Sequence, residues 1–154
     1  MDLGDLITPE GVIPQLKAKS KKQVLHDLAA IAAEQKGLDQ RAVFETLLQR
    51  ERLGSTGISK GIAIPHGRLA TLKQIVCLFA RIDEPVDFDA LDGEKVDLVF
   101  LLLAPESAGA DHLKALARIS RLVREPAMLE RLRTAPDAKA LREVLVSPAA
   151  SHAA

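Results

Sequence analysis

The apolar positions change period along the chain, and each change marks an element. Ile7, Val12, Ile13 and Leu16 lie around Pro9 and Pro14. That short run predicts an edge strand, where a proline leaves no ladder bond unmade. Ser20-Lys21-Lys22-Gln23 has the spacing of a capping box, the signal of a helix start. Val24, Leu25, Leu28, Ile31 and Ala32 follow at helical intervals, which gives one apolar stripe. Gly37 predicts the stop. Asp39 is placed to cap a second helix that carries Val43, Phe44, Leu47 and Leu48 and runs to about Glu51.

At Gly54 the helical period ends. Gly54-Ser55-Thr56-Gly57-Ile58-Ser59-Lys60-Gly61 is a Gly-rich loop, followed by the apolar run Ile62-Ala63-Ile64 and then Pro65-His66-Gly67. Gln74 to Ile82 and Val96 to Ala104 are apolar without alternation, which predicts strands covered on both faces. Between them Val86 to Phe88 reads as a short extended piece and Asp92-Gly93 as a turn. Pro105 ends the second strand. Asp111 predicts the cap of a helix whose inward face is Leu113, Leu116, Ala117, Ser120 and Val123. Pro126 suits the first position of a short helix with Met128, Leu129 and Leu132, and Asp137 the cap of a last one with Leu141, Val144 and Leu145. Helices at both ends with strands between predict an α/β fold, a three-layer α/β/α sandwich around a small mixed sheet.

Composition narrows the function more than the fold. The 154 residues carry 21 Lys plus Arg and 21 Asp plus Glu, for a net charge of zero. A neutral balance argues against a broad basic face for nucleic acid. Four Phe are the only aromatics, too few for a stacking platform. The longest apolar run, Leu98 to Ala104, is far short of the ~20 residues a membrane span needs. The acidic start Met1-Asp2-Leu3-Gly4-Asp5 lacks the features of a signal peptide. The lone Cys77 forms no internal disulfide and fits a reducing compartment. A cytoplasmic protein without direct membrane insertion is the expectation. One domain over residues 1–146 is expected, with 147–154 as a frayed tail.

Several common chemistries are missing. The Gly-rich loop has Ser59 before Lys60, not the Gly-Lys-Ser/Thr of a P-loop, and no G-x-G-x-x-G, H-E-x-x-H, C-x-x-C or G-x-S-x-G occurs. No metal site and no cofactor are expected. The histidines remain. His66 follows an apolar strand, with Pro65 stiffening the backbone before it and Gly67 leaving space after it. His112 falls in the first turn of its predicted helix. His26, on the polar side of the first helix, and His152, in the tail, are expected to be inert.

The string Arg50-Glu51-Arg52-Leu53-Gly54-Ser55-Thr56-Gly57, continued by Gly61-Ile62-Ala63-Ile64-Pro65-His66-Gly67, resembles the active-site signature of phosphotransferase-system enzyme IIA domains of the mannitol/fructose class. Asp111-His112-Leu113 resembles the second active-site histidine of that family. The wording Leu53-Gly54-Ser55-Thr56-Gly57, with no attached sugar-binding or membrane domain expected, is most similar to the nitrogen-regulatory branch. The chain departs from the pattern at Ser59-Lys60, where Gly and a small polar residue are expected.

The resemblance implies a phosphohistidine at His66, supported by His112. Arg50 is a candidate contact to phosphate or donor, and Ser55, Thr56 and Gly57 are candidate phosphate-binding residues. It implies a phosphotransferase component fed by an HPr-like histidine phosphocarrier. The expected targets are regulatory proteins such as potassium transporters or sensor kinases. Two alternatives stay open: a sugar-transport IIA that passes phosphate to a IIB domain, and an interaction module that is never phosphorylated. The chemistry agrees with the resemblance. A neutral imidazole is abundant near neutral pH and is a competent nucleophile toward phosphorus, and phosphoryl transfer needs mainly positioning and charge neutralisation.

Overall fold

A computed structural model of the chain describes residues 3–147. The elements run α1 (Leu3–Leu6), a 3-10 turn at Pro9–Gly11, β1 (Val12–Leu16), α2 (Lys21–Lys36), α3 (Gln40–Arg52), β2 (Ile62–Ala63), β3 (His66–Leu69), β4 (Val76–Val86), β5 (Val96–Pro105), α4 (Gly109–Leu122), α5 (Pro126–Thr134) and α6 (Ala138–Leu145). From residue 148 the expected tail, with His152, lies outside the described residues.

The two long apolar runs form the middle of the sheet. β4 and β5 pair antiparallel, with Phe79 opposite Phe100 and Val86 opposite Val96. The expected strand and the short extended piece after it are therefore one strand, interrupted by a shift in register between Arg81 and Val86. β1 adds parallel to β4 at one edge. β2 and β3 add parallel to β5 at the other. The sheet is mixed, as the sequence predicts, and open.

Alternation along β4 and β5 sends side chains into two cores. Cys77, Phe79, Leu98, Phe100 and Leu102 pack with Ile119, Leu122, Leu129 and Leu141 of α4–α6. Leu78, Ala80, Val99, Leu101 and Leu103 pack with Leu25, Leu28, Val43 and Leu47 of α2 and α3. Phe79, Phe100, Leu101 and Leu102 are fully buried, each stabilising the fold by roughly 1.5–3 kcal/mol relative to exposure. Burial pushes the Cys77 thiol up to about 12, so it is an inert core residue.

Helix starts follow the capping residues with two corrections. Ser20 accepts from the Gln23 N–H at 3.1 Å, and Asp137 accepts from the Ala140 N–H at 2.8 Å. Asp39 occupies its predicted cap position without a side-chain bond. α4 starts at Gly109, not at Asp111. Its inward residues are His112, Ala115, Ile119 and Leu122, while Leu113 is 64% exposed. The expected face was one residue out of phase because a histidine, not an aliphatic residue, takes the first inward position. Of the expected set, Val123 is buried just past the helix end.

Candidate functional site

The apolar run before His66 is broken by a proline. β2 pairs with Leu98 and Val99, and the chain rejoins β5 as β3, with His66 opposite Leu102 and Arg68 opposite Ala104. Pro65 keeps the edge in register through its carbonyl, which accepts from the Leu102 N–H at 3.0 Å. Strand alternation then places His66 and Arg68 on the face toward α4, and Gly67 on the face toward α3. A Cβ on Gly67 would lie 2.6 Å from Thr46 Cγ2. The missing side chain is what lets α3 approach the edge strand.

That approach brings Arg50, in the last turn of α3, to the histidine. His66 Nδ1 lies 2.8 Å from the Ile64 carbonyl. A carbonyl only accepts, so Nδ1 carries the proton and donates. The Arg50 Nε–H donates to His66 Nε2 at 3.2 Å, which agrees with a lone pair on Nε2. Arg50 Nη1 also donates to the Gly54 carbonyl at 2.8 Å. Across the cleft, His112 of α4 meets His66 edge to face, with ring centroids 5.7 Å apart and an interplanar angle of 66°. Arg68 Nε–H donates to His112 Nδ1 at 3.2 Å. His112 Nε2 is buried without a partner.

Both rings are biased toward the neutral form. Burial depresses the His66 pKa below its ordinary value, and the Arg50 guanidinium adds to this; the Ile64 hydrogen bond and the Glu51 carboxylate oppose it. Burial likewise depresses His112, helped by His66 and Arg68. The cleft around the two rings measures about 470 Å³, and its lining includes Gln49, Arg50, Leu53 and Arg68. A hollow of about 550 Å³ toward the other end of β5 is lined by Arg81, Asp97 and Arg133. Its arginines are already engaged, Arg133 with Asp97 and Arg81 with backbone carbonyls. Among the described residues no group of three or more His, Cys, Asp or Glu side chains is placed to hold a metal ion.

The structure brings His66, His112 and Arg50 together in one cleft. Ser55, Thr56 and Gly57 do not line the cleft. Ser55 donates its hydroxyl to the Phe88 carbonyl at 2.6 Å and accepts from the Gly57 N–H at 3.0 Å. Buried Thr56 donates through its N–H and its hydroxyl to Glu51, at 2.9 and 2.5 Å. Glu51 also holds Lys21 at 3.0 Å. The three residues therefore shape the loop. The departure at Ser59-Lys60 leaves Lys60 at φ 58°, held by Asp92 through its N–H and by Arg133 through its carbonyl. His26 is exposed beside Phe44.

Two residues escaped the sequence reading. Arg68 could have been found from period-two alternation, since it shares a face with His66. Nothing local distinguished Glu51 as a buried anchor.

Residues 5–147 match the family described as "Phosphoenolpyruvate-dependent sugar phosphotransferase system, EIIA 2". The chain belongs to this family and is a phosphotransfer component. It is 58% identical over 153 residues to a "Nitrogen regulatory protein" of Bradyrhizobium diazoefficiens, covering 99% of this chain and 100% of the relative. It is 43% identical over 145 residues to a protein of the same description in Pseudomonas aeruginosa, covering 94% of each chain. Its fold matches the crystal structure of "Nitrogen Regulatory Protein IIA-Ntr" from Neisseria meningitidis, with a TM-score of 0.88 and 37% identity over 93% of this chain and 98% of that one. Full-length similarity of this kind places the chain in the nitrogen-regulatory branch, as an EIIA component of a phosphotransferase system. Among the described residues no helix is long and apolar enough to cross a membrane.

Proposed function

We infer that His66 Nε2 accepts a phosphoryl group from an HPr-like histidine phosphocarrier, with phosphoenolpyruvate as the ultimate donor. The single observation behind this reading is the Ile64 carbonyl, which holds the proton on Nδ1 and so leaves the Nε2 lone pair facing the cleft. In the transfer, that lone pair forms the new N–P bond as the donor's N–P bond breaks. The electron pair of the broken bond stays on the donor's ring nitrogen. The acceptor ring becomes cationic with its proton still on Nδ1, where the Ile64 carbonyl stabilises it. Arg50, 3.2 Å from Nε2, gives up that bond and turns its N–H groups to the phosphoryl oxygens, neutralising charge. A buried His112 N–H is a further donor to the same oxygens.

The added group carries about −1.5 to −2 charges at pH 7 by analogy with other phospho-residues. On a chain with no net charge, that change at one cleft is a large local signal. It sets which regulatory partner docks, potassium transporters and sensor kinases being the candidate targets. Such a relay works in the cytoplasm. The test is intact-mass measurement after reconstitution with the phosphocarrier chain. Wild type gains one phosphoryl group and His66→Ala gains none; an equal gain in the variant sinks the assignment. Onward transfer to a fructose- or mannitol-type IIB domain in the same assay would instead favour sugar transport.

A further inference from the structure

Arg68 stands outside the family-like string and two positions after the histidine it faces with. Its geometry copies that of Arg50. Each arginine aims an Nε–H at one ring nitrogen of one histidine, at 3.2 Å in both cases. Arginine is always a donor, so His112 Nδ1 must hold a lone pair. The neutral ring then carries its proton on Nε2. That Nε2–H is buried and has no partner among the described residues, on a residue that lines the same cleft as His66. A buried donor without an acceptor destabilises the fold, and such a group asks for a ligand atom.

We propose that Arg68 is a positioning residue: it clamps the His112 ring and its tautomer so that Nε2–H is held ready for an oxygen of the phosphoryl group on His66. The proposal rests on phosphorylation of His66 for its ligand. The clamp itself is a property of the free protein. Without Arg68 the His112 ring can rotate, and its proton can move to Nδ1, so the donor is present only part of the time. Arg68 acts through His112, not through direct contact with the reacting atoms. Its removal should therefore do nothing further once His112 has gone.

The test has two arms. The first is ¹⁵N–¹H NMR of the imidazoles in the unphosphorylated full chain. Wild type should show His112 protonated on Nε2 and bare on Nδ1. Arg68→Ala should average the two ring nitrogens and shift the His112 titration upward, because Arg68 helps to depress it. The second arm is the rate constant of phosphoryl acceptance at saturating donor for wild type, Arg68→Ala, His112→Ala and the double variant. Arg68→Ala should lose roughly tenfold. The double variant should match His112→Ala, because coupled residues are non-additive. Losses that multiply in the double variant, or His112 ring signals unchanged by Arg68→Ala, would overturn the proposal. If wild type accepts no phosphoryl group, the reading of His66 has failed. The NMR arm still decides whether the clamp exists.

Discussion

The Ile64 carbonyl lies 2.8 Å from Nδ1 of His66, two residues further along the chain. This local bond, set by the break between β2 and β3 at Pro65, decides which ring nitrogen is free. In the free protein at neutral pH, His66 should show a protonated Nδ1 and an unprotonated Nε2. After phosphorylation the N–P bond should appear at Nε2. Heteronuclear ring NMR checks both, and a phosphoryl group on Nδ1 would contradict the bond to Ile64.

A second consequence concerns pH. The folded-state pKa values of His66 and His112 lie below the ordinary value. The unfolded chain therefore binds more protons than the folded one as pH falls through about 6.5. The stability they contribute is fully present above that pH and is lost as pH drops through the folded-state values. Urea midpoints should hold from pH 8 to 7 and decline below about 6.5. His66→Gln/His112→Gln should flatten part of that decline. In a ring titration both wild-type midpoints should lie below about 6.5. Arg50→Gln should move the His66 midpoint up, since it removes a depressing charge.

Arg50 ties the histidine to the loop, bonding His66 Nε2 and the Gly54 carbonyl at once. If it stabilises the charge on the transferring group, its loss acts on the chemical step. Arg50→Gln should reduce the rate constant of acceptance by about 10²-fold, the size found when one well-placed donor is removed from a charged transition state. Rapid-quench measurement at saturating donor separates this from weaker docking.

Much of the fold could be read directly from the chain, because a short unbroken apolar run such as Leu98–Ala104, bounded by Asp92-Gly93 and Pro105, suits the middle of a covered sheet. The misplaced face of α4 has a physical cause. In α4, His112 takes a core-facing position that an aliphatic residue would ordinarily fill, so the most hydrophobic phase of the helix was not the buried one. The cleft was legible in outline, as His66, Arg50 and His112. The partners of hydroxyls and carboxylates were not. Whether Thr56 meets a ligand or Glu51 depends on where the end of α3 lies relative to the loop, which is a tertiary fact.

Glu51 supplies its own prediction. Its buried carboxylate accepts two bonds from Thr56 and pairs with Lys21, while Lys21 also lies 4.9 Å from the Phe88 ring centroid. Glu51→Ala leaves a buried N–H and hydroxyl without an acceptor and Lys21 with the exposed Asp89 as its remaining carboxylate among the described residues. The cost should be about 2–4 kcal/mol, seen as a lower urea midpoint. Glu51→Gln should recover part of it, because an amide oxygen can still accept from the Thr56 N–H.

The close approach of Thr46 to Gly67 is a geometric requirement of the cleft, and it can be tested by compensation. A methyl on Gly67 would meet Thr46 Cγ2 at 2.6 Å, too close for any real contact. Thr46 is β-branched and sits within α3, so its methyl moves aside only by a full change between its two helical χ1 rotamers. Strain that this rotamer change does not relieve passes to the helix, pushing α3 from the edge strand and carrying Arg50 from His66. Gly67→Ala should therefore destabilise by about 1–3 kcal/mol, as overpacking does, and slow phosphoryl acceptance with His66 still in place. Thr46→Ala alone should be mild, since alanine favours a helix and the site is only partly buried. In the double variant the methyl introduced by Gly67→Ala enters the space left by Cγ2. Both the urea midpoint and the acceptance rate should return most of the way to wild type. If Thr46→Ala restores neither, Gly67 is needed for some reason other than the approach of α3. If it restores stability but not rate, the position of Arg50 is not what the close approach secures.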